Sequence, residues 1–160
     1  MGRVMGIDFG TRRVGVSISD PGGVVAGNPS VLHVRSQEQA ITEIRELVTR
    51  EAVAEIVVGL PLSLDGTSGP QAEKVTSFAS KLSSACGVKV TLWDERLSTA
   101  EAERLLLGLS KRARKKKEKR DIVAALLILQ SFLSRRVNTT RQEGSRPEEN
   151  GTHSELNGSP

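Results

Sequence analysis

The chain has one cysteine, two histidines, no tyrosine, three phenylalanines and one tryptophan among 160 residues. The lone thiol, Cys86, can form no internal disulfide and reads as a small buried hydrophobe in a protein of a reducing compartment. So few histidines and cysteines leave a zinc site short of the ligands it prefers. With aromatics at 2% of the chain, the core has to be assembled from Val, Ile, Leu and Ala, a composition that suits a sheet buried under helices. No apolar run approaches the ~20 residues that cross a bilayer, and the first strand pattern begins within a few residues of Met1. Neither a membrane span nor a secretory leader is therefore expected, and a cytoplasmic location is. The length suits one domain with a real core and is too short for two comfortable ones.

The chain does carry positive charge, with a net +4 and a pI near 9.6. Its position says more than its sum. "KRARKKKEKR", Lys111 to Arg120, concentrates cations directly before an apolar segment. Alone, such a run fits a solvated surface loop as well as it fits a phosphate-binding patch.

Hydrophobic periodicity divides the chain. "RVMGIDFG", "RRVGVSISD" and "GVVAGNPSVLHV" alternate as three strands of a meander. "SQEQAITEIRELVTREA" places Ala40, Ile41, Ile44, Leu47 and Val48 at helical spacing, with Ser36 and Gln39 set as a capping box. "EIVVGLP" predicts a fourth strand, "GPQAEKVTSFASKLSSACG" a helix ending at Gly87, and "VKVTLWDE" a fifth strand. Ser98 and Glu101 predict the cap of a further helix. "DIVAALLILQSFLSRR" is apolar on almost every face, which predicts deep packing against the sheet. From Asn138 the chain turns hydrophilic, so residues 1–137 are expected to form the folded domain and residues 138–160 a disordered tail. The order predicts an α/β fold, a five-stranded mixed sheet with helices on both faces. The Asn-x-Thr triplets at Asn138 and Asn150 carry little meaning without secretion.

Three carboxylates stand where they could meet. Asp8 interrupts the apolar first strand, where a dehydrated anion is costly unless paired or bound to metal, although shaping the turn with Gly10 is the plainer role. Glu95 lies just past the fifth strand, where open α/β sheets place ligand groups; the plain alternative is a surface acidic pair bonding Arg96. Asp121 opens the last apolar helix, where it would also complement the helix dipole. The small Ala124 and Ala125 near its face would let that helix lie close to the strands. Converging on one sheet edge, the three acids offer hard oxygen ligands suited to Mg²⁺ or Mn²⁺, and two such ions can activate water and stabilise the leaving oxygen of a phosphodiester. The basic run leading into Asp121 would then hold the nucleic-acid backbone beside the metals.

"GIDFGTRRVGVSISD", "IVVGLPLSLDGTSGPQA", "DERLSTAEAERLL" and "KRDIVAALLILQSFL", in this order and spacing, resemble the YqgF-type family of pre-16S rRNA nucleases. That family is also described as Holliday junction resolvase-like, with an RNase H-like fold. The resemblance covers roughly residues 4–133. It implies that Asp8, Glu95 and Asp121 are the catalytic and metal-binding acids. It also implies that the loop carrying Pro61, Asp65 and Gly66 lies near them. The expected nucleic-acid contacts are Thr11, Arg12 and Arg13, with Lys111, Arg112, Arg114, Lys115, Lys116, Lys117 and Lys119. The implied partners are nucleic acid, with pre-rRNA favoured and branched DNA open, and the ribosomal small-subunit precursor; the protein would act as a monomer or homodimer. A non-cleaving binding module with the same fold and acids is the rival reading, against which the three acids favour the enzyme because a pure binder gains little from anions facing phosphate. "DFGT" also resembles the first phosphate loop of the actin and sugar-kinase ATPases, which need a second domain this chain has no length for.

Overall fold

The structure, a computed structural model, describes residues 2–97 and 117–144, with residues 117–119 described in their backbone alone. Its elements are β1 (Arg3–Phe9), β2 (Arg13–Ser19), β3 (Ala26–His33), α1 (Gln37–Arg50), β4 (Val53–Leu60), α2 (Pro70–Cys86), β5 (Lys89–Asp94), a 3₁₀ turn (Glu95–Leu97) and α3 (Lys117–Glu143). The strands form one sheet in the order β3-β2-β1-β4-β5. The meander β1-β2-β3 is antiparallel, while β4 lies parallel to β1 and β5 parallel to β4. The mixed five-stranded sheet expected from the sequence is therefore present. The helix expected from Ser98 falls outside the described residues.

Local chemistry accounts for most element ends. Ser36 Oγ accepts from the Gln39 amide at 3.1 Å, and Gln39 Oε1 reaches back to accept from the Arg35 amide at 2.8 Å, one residue before the cap itself. Gly87 ends α2 in the left-handed region, φ 66°, a conformation that favours glycine. Strand β3 starts at Ala26 rather than near Gly23 because the Asp20 carboxylate takes the amides of Gly22, Val24 and Val25, leaving Val24 and Val25 exposed in a turn. Pro29 is accommodated in β3 because that strand is a sheet edge.

Two boundaries of the last helix differ from expectation. It begins at Lys117, so Asp121 sits a turn inside it rather than opening it, and it continues to Glu143 across the boundary expected at 138. Extending an existing helix costs far less than nucleating one, so polar residues can prolong it. The Thr139 and Thr140 hydroxyls donate to the carbonyls of Arg135 and Arg136 within that extension. The remaining expected tail, residues 145–160, lies outside the described residues.

The period-two alternation of the strands gives the sheet two unlike faces. Met5, Ile7, Phe9, Val14, Val16, Ile18, Ile56 and Val58 form one core with Ala40, Ile44 and Val48 of α1 and Val75, Phe78, Ala79 and Leu82 of α2. Phe9 stacks on Phe78 with ring centroids 4.0 Å apart. The other face carries Val4 and Val57 against Ile128, Leu129 and Leu133 of α3, with Trp93 packed beside them, and it has small or polar residues at Gly6, Asp8, Gly15, Ser17, Ser19 and Gly59. A Cβ built on Gly6 would lie 2.6 Å from Leu129 Cβ, one on Gly15 2.2 Å from the Asp121 carbonyl oxygen, and one on Gly59 2.4 Å from Ile128 Cδ1. Three strands thus give up their side chains so that α3 can lie directly on the backbone. The helix packs against the sheet as expected, with Ala125, Ile128, Leu129, Ser131 and Leu133 buried and Ile122, Val123, Leu126 and Leu127 half-buried. Among the described residues no helix is long and apolar enough to cross a membrane. Cys86 is half-buried at the edge of the first core, and this partial burial pushes its thiol pKa up.

Candidate active site

Asp8 alternates onto the α3 side of β1, opposite the apolar core formed by Ile7 and Phe9. Its partner across the sheet is Gly15, and continuing the pairing of Ile7 with Val58 places Gly59 on its other flank. These are two of the glycines that admit α3. The space above Gly15 is taken by the backbone of Asp121, and the space above Gly59 by Ile128 and by Glu95, whose Oε1 would lie 2.8 Å from a Cβ there. Asp8 therefore lies between two bare stretches of backbone, each roofed by another acid or its helix.

The electrostatics follow from that crowding. The Asp8 pKa is pushed up to about 7, first by burial and then by the negative charges of Glu95 and Asp121. Burial, with the charge of Asp94 added, also raises Glu95. Asp8 and Glu95 share a cavity of about 280 Å³ lined by Trp93, Ala124, Leu127, Ile128 and Ser131. Asp121 stands on the neighbouring wall, where it borders an open groove with Thr11, Arg12, Arg13, His33 and Arg35. Arg13 Nε lies 3.1 Å from Asp121 Oδ2. That oxygen is nevertheless buried with no aligned hydrogen bond, so Arg13 compensates its charge while leaving its lone pairs unused.

Among the described residues, no three His, Cys, Asp or Glu side chains are gathered tightly enough to form a finished metal cage. The donor set still fits a hard divalent cation. It consists of carboxylate oxygens only, two of the acids hold protons more tightly than usual through burial and neighbouring negative charge, and the third has an orphaned buried oxygen.

The turn carrying Glu95 is pinned from two sides. Trp93 Nε1 donates to Ser131 Oγ at 3.0 Å, and the same hydroxyl donates to the Leu97 carbonyl at 2.9 Å. Ser131 is 1% exposed, and it ties the Glu95 turn to the helix that carries Asp121. The sequence showed Ser131 only as a polar interruption in "LLILQSFL", and its partners emerge only once α3 lies over β5. On the other side Arg96 bonds Asp94 at 2.7 Å and donates to the Leu64 carbonyl at 3.2 Å, which holds Asp94 below the usual carboxylate range. The plain reading of the Asp-Glu-Arg triplet is thus correct for Asp94, and Glu95 alone faces the cavity.

Arg96 also fixes the loop expected near the site. Asp65 Oδ1 accepts from the Thr67 amide and hydroxyl, Gly66 turns at φ 85°, and the loop leaves β4 through Pro61. Its link to the acids runs through Arg96 and the Glu95 turn. Thr11, Arg12 and Arg13 all border the groove beside Asp121. Lys111, Arg112, Arg114, Lys115 and Lys116 lie outside the described residues, and Lys117 and Lys119 are described only as backbone in the first turn of α3.

Comparison with known proteins shows the family and the fold. A protein of Pelotomaculum thermopropionicum bearing the name "Putative pre-16S rRNA nuclease" is 41% identical over 145 residues, covering 90% of this chain and 94% of the relative. One of the same name from Desulforudis audaxviator is 43% identical over 134 residues, covering 84% and 95%. Among solved structures, Thermus thermophilus RuvC in complex with a Holliday junction aligns with a TM-score of 0.61 at 15% identity, over 87% of this chain and 98% of that one. Fowlpox virus resolvase with junction DNA aligns at 0.56 and 10% identity, over 84% and 99%. Both alignments show a shared fold. Residues 2–135 match the family described as RuvX, Holliday junction resolvase, and the chain belongs to that family.

Proposed function

We propose that the chain is a divalent-metal-dependent nuclease of the cytoplasm that hydrolyses phosphodiester bonds, and that its substrate is the precursor of 16S rRNA, trimmed toward its mature 5′ end during small-subunit assembly. The observation that carries this reading is Asp8, half-buried and flanked by Glu95 and Asp121, with a pKa raised to about 7. A structural carboxylate gains nothing from such neighbours, whereas a cation ligand does. The names borne by the relatives support the substrate.

Asp8, Glu95 and Asp121 would hold Mg²⁺ or Mn²⁺, which when bound supplies an activated water and stabilises the departing oxygen. The chain's own residues do the rest. Asp8 holds its proton up to about pH 7 and Glu95 is shifted in the same direction, so a bound cation would displace a proton from Asp8 near neutral pH. Trp93, Leu127 and Ile128 wall the cavity with apolar surface and limit water around the acids. Arg13, already seated on Asp121, presents its charge where the acidic cavity meets the basic groove.

Cleavage of a pre-16S rRNA fragment, an unrelated single-stranded RNA and a four-way DNA junction, with Mg²⁺ or Mn²⁺ and beside Asp8→Asn, tests the reading. Metal-dependent cutting of the rRNA fragment that Asp8→Asn abolishes is the expected result. Preferential cutting of the junction would favour the second reading, a DNA resolvase, to which the family's description points. Tight binding without any cutting would reduce the chain to a non-cleaving nucleic-acid module.

A further inference from the structure

The groove beside Asp121 has a volume of about 1120 Å³ and shares no lining residue with the cavity that holds Asp8 and Glu95. Its basic side chains come from four places: Arg12 from the turn before β2, Arg13 and His33 from paired positions on β2 and β3, and Arg35 from the cap of α1. The Val34 amide donates to the Arg12 carbonyl at 2.9 Å, and Gln39 Oε1 holds the Arg35 amide, so both arginines project from fixed backbone. Asp121 is the one carboxylate on the groove's walls among the described residues, and Arg13 is already paired with it.

Several arginines elsewhere are committed: Arg3 to the Ser19 carbonyl, Arg50 to Glu51, Arg96 to Asp94 and Arg136 to Glu55. The exposed guanidinium groups of Arg12 and Arg35 form no ion pair among the described residues. Two uncommitted guanidinium groups on a rigid wall next to a carboxylate site are suited to bidentate recognition of phosphate. Among the described residues no Phe, Tyr or Trp lines the groove, whose one ring is the His33 imidazole, so it lacks the run of stacking platforms along which successive single-stranded bases are held.

We infer that this groove holds the sugar-phosphate backbone of the substrate strand as it leaves the acids, with Arg12 and Arg35 each engaging one phosphate and without reading bases. The inference rests on the nuclease reading and adds to it a binding wall built from β2, β3 and α1, separate from the lysine-rich run before α3. Arg35, absent from the contacts expected from sequence, becomes a principal one.

The test uses full-length protein carrying Asp8→Asn, so that binding is measured without cutting. Anisotropy of a labelled single-stranded RNA is titrated at several KCl concentrations for this parent, for the added pair Arg12→Gln and Arg35→Gln, and for a control pair, Arg45→Gln and Arg50→Gln, with the same charge change on exposed positions of α1 outside the groove. Losing two phosphate contacts should lower the magnitude of the log–log salt slope by about 1.4, at roughly 0.7 per contact on a single strand. The affinity should fall alike for two unrelated sequences, while the control pair leaves the slope unchanged. An unchanged slope in the groove pair, or an equal fall in the control pair, overturns the groove. No binding of RNA or DNA by the parent overturns the groove and the nuclease reading together.

Discussion

The two faces of the sheet are built on opposite principles. Toward α1 and α2 the strands present Met, Ile, Phe and Val in strict alternation, and the helices answer with Ile44, Val75, Phe78 and Leu82, all buried. Toward α3 the same strands present Gly6, Asp8, Gly15, Ser17, Ser19, Val57 and Gly59. The first face stabilises the fold through buried apolar surface. The second gives up that surface to bring a helix backbone against strand backbone, and so sets acids from a strand, a turn and a helix beside one another. A side chain can therefore matter to stability or to the site according to which face it points from, even at adjacent positions.

Gly15 and Ile44 should separate these roles most sharply. Gly15→Ala places a Cβ about where the Asp121 carbonyl oxygen now sits, 2.2 Å away, and since that atom is backbone, α3 must move. Displacing a catalytic group by an ångström costs about 10²-fold in rate, and single-turnover cleavage should fall by that order. Ile44→Ala, on the opposite face and fully buried, should lower unfolding stability by about 2–5 kcal/mol while the folded fraction cleaves at the wild-type rate. Equal losses of activity in both would erase the distinction between the faces.

Stability against pH sharpens the comparison further. The folded pKa of Asp8 is raised from 3.8 to about 7, so between those values the folded state binds more protons than the unfolded one, and metal-free stability falls as pH rises through this window. Above pH 7 the full penalty is present, on the order of 2–4 kcal/mol for a shift of about three pKa units. Below pH 4 it vanishes. Asp20, Asp65 and Asp94 are shifted downward, so their contributions change only at lower pH. In EDTA, thermal melts should give a higher Tm at pH 5.5 than at pH 8, and Asp8→Asn should flatten the difference; a wild-type Tm that rises with pH across this range would mean that Asp8 is not destabilised.

The smallest effect belongs to Ser131. Ser131→Ala leaves Trp93 Nε1 and the Leu97 carbonyl without the partner they now have, which costs about 1–3 kcal/mol of stability. If the hydroxyl positions Glu95, kcat should fall several-fold at unchanged KM, and Ser131→Thr should restore part of it. A loss of stability with kcat intact would make Ser131 structural only.

Much of this was legible in the sequence, and the reasons for the rest are physical. Alternation identified the strands, and the capping box and Gly87 located helix ends, because both signals act over a few residues. Asp8, Glu95 and Asp121 were singled out as anomalies in apolar or strand-end settings. The glycines were visible but mute. That Gly15 and Gly59 flank Asp8 depends on strand register, and register is set by pairing between distant segments. The same holds for Ser131, whose meaning depends on where α3 crosses β5. The early start of α3 escaped because Lys117–Arg120 carries no apolar periodicity, and the exposed turn before β3 because Asp20 captures amides that "GVV" would otherwise give to a strand.

The claim that the glycine-lined face assembles Asp8, Glu95 and Asp121 into one cation site is tested most directly by Mn²⁺ titration followed by electron paramagnetic resonance, without substrate. Wild type is compared with Asp8→Asn, Glu95→Gln and Asp121→Asn. Each substitution should weaken Mn²⁺ binding by about tenfold or more, the loss expected when an ion-pair partner of ~1.4 kcal/mol or greater is removed. Wild-type affinity in any one of the three would remove that carboxylate from the site, and wild-type affinity in all three would contradict the account.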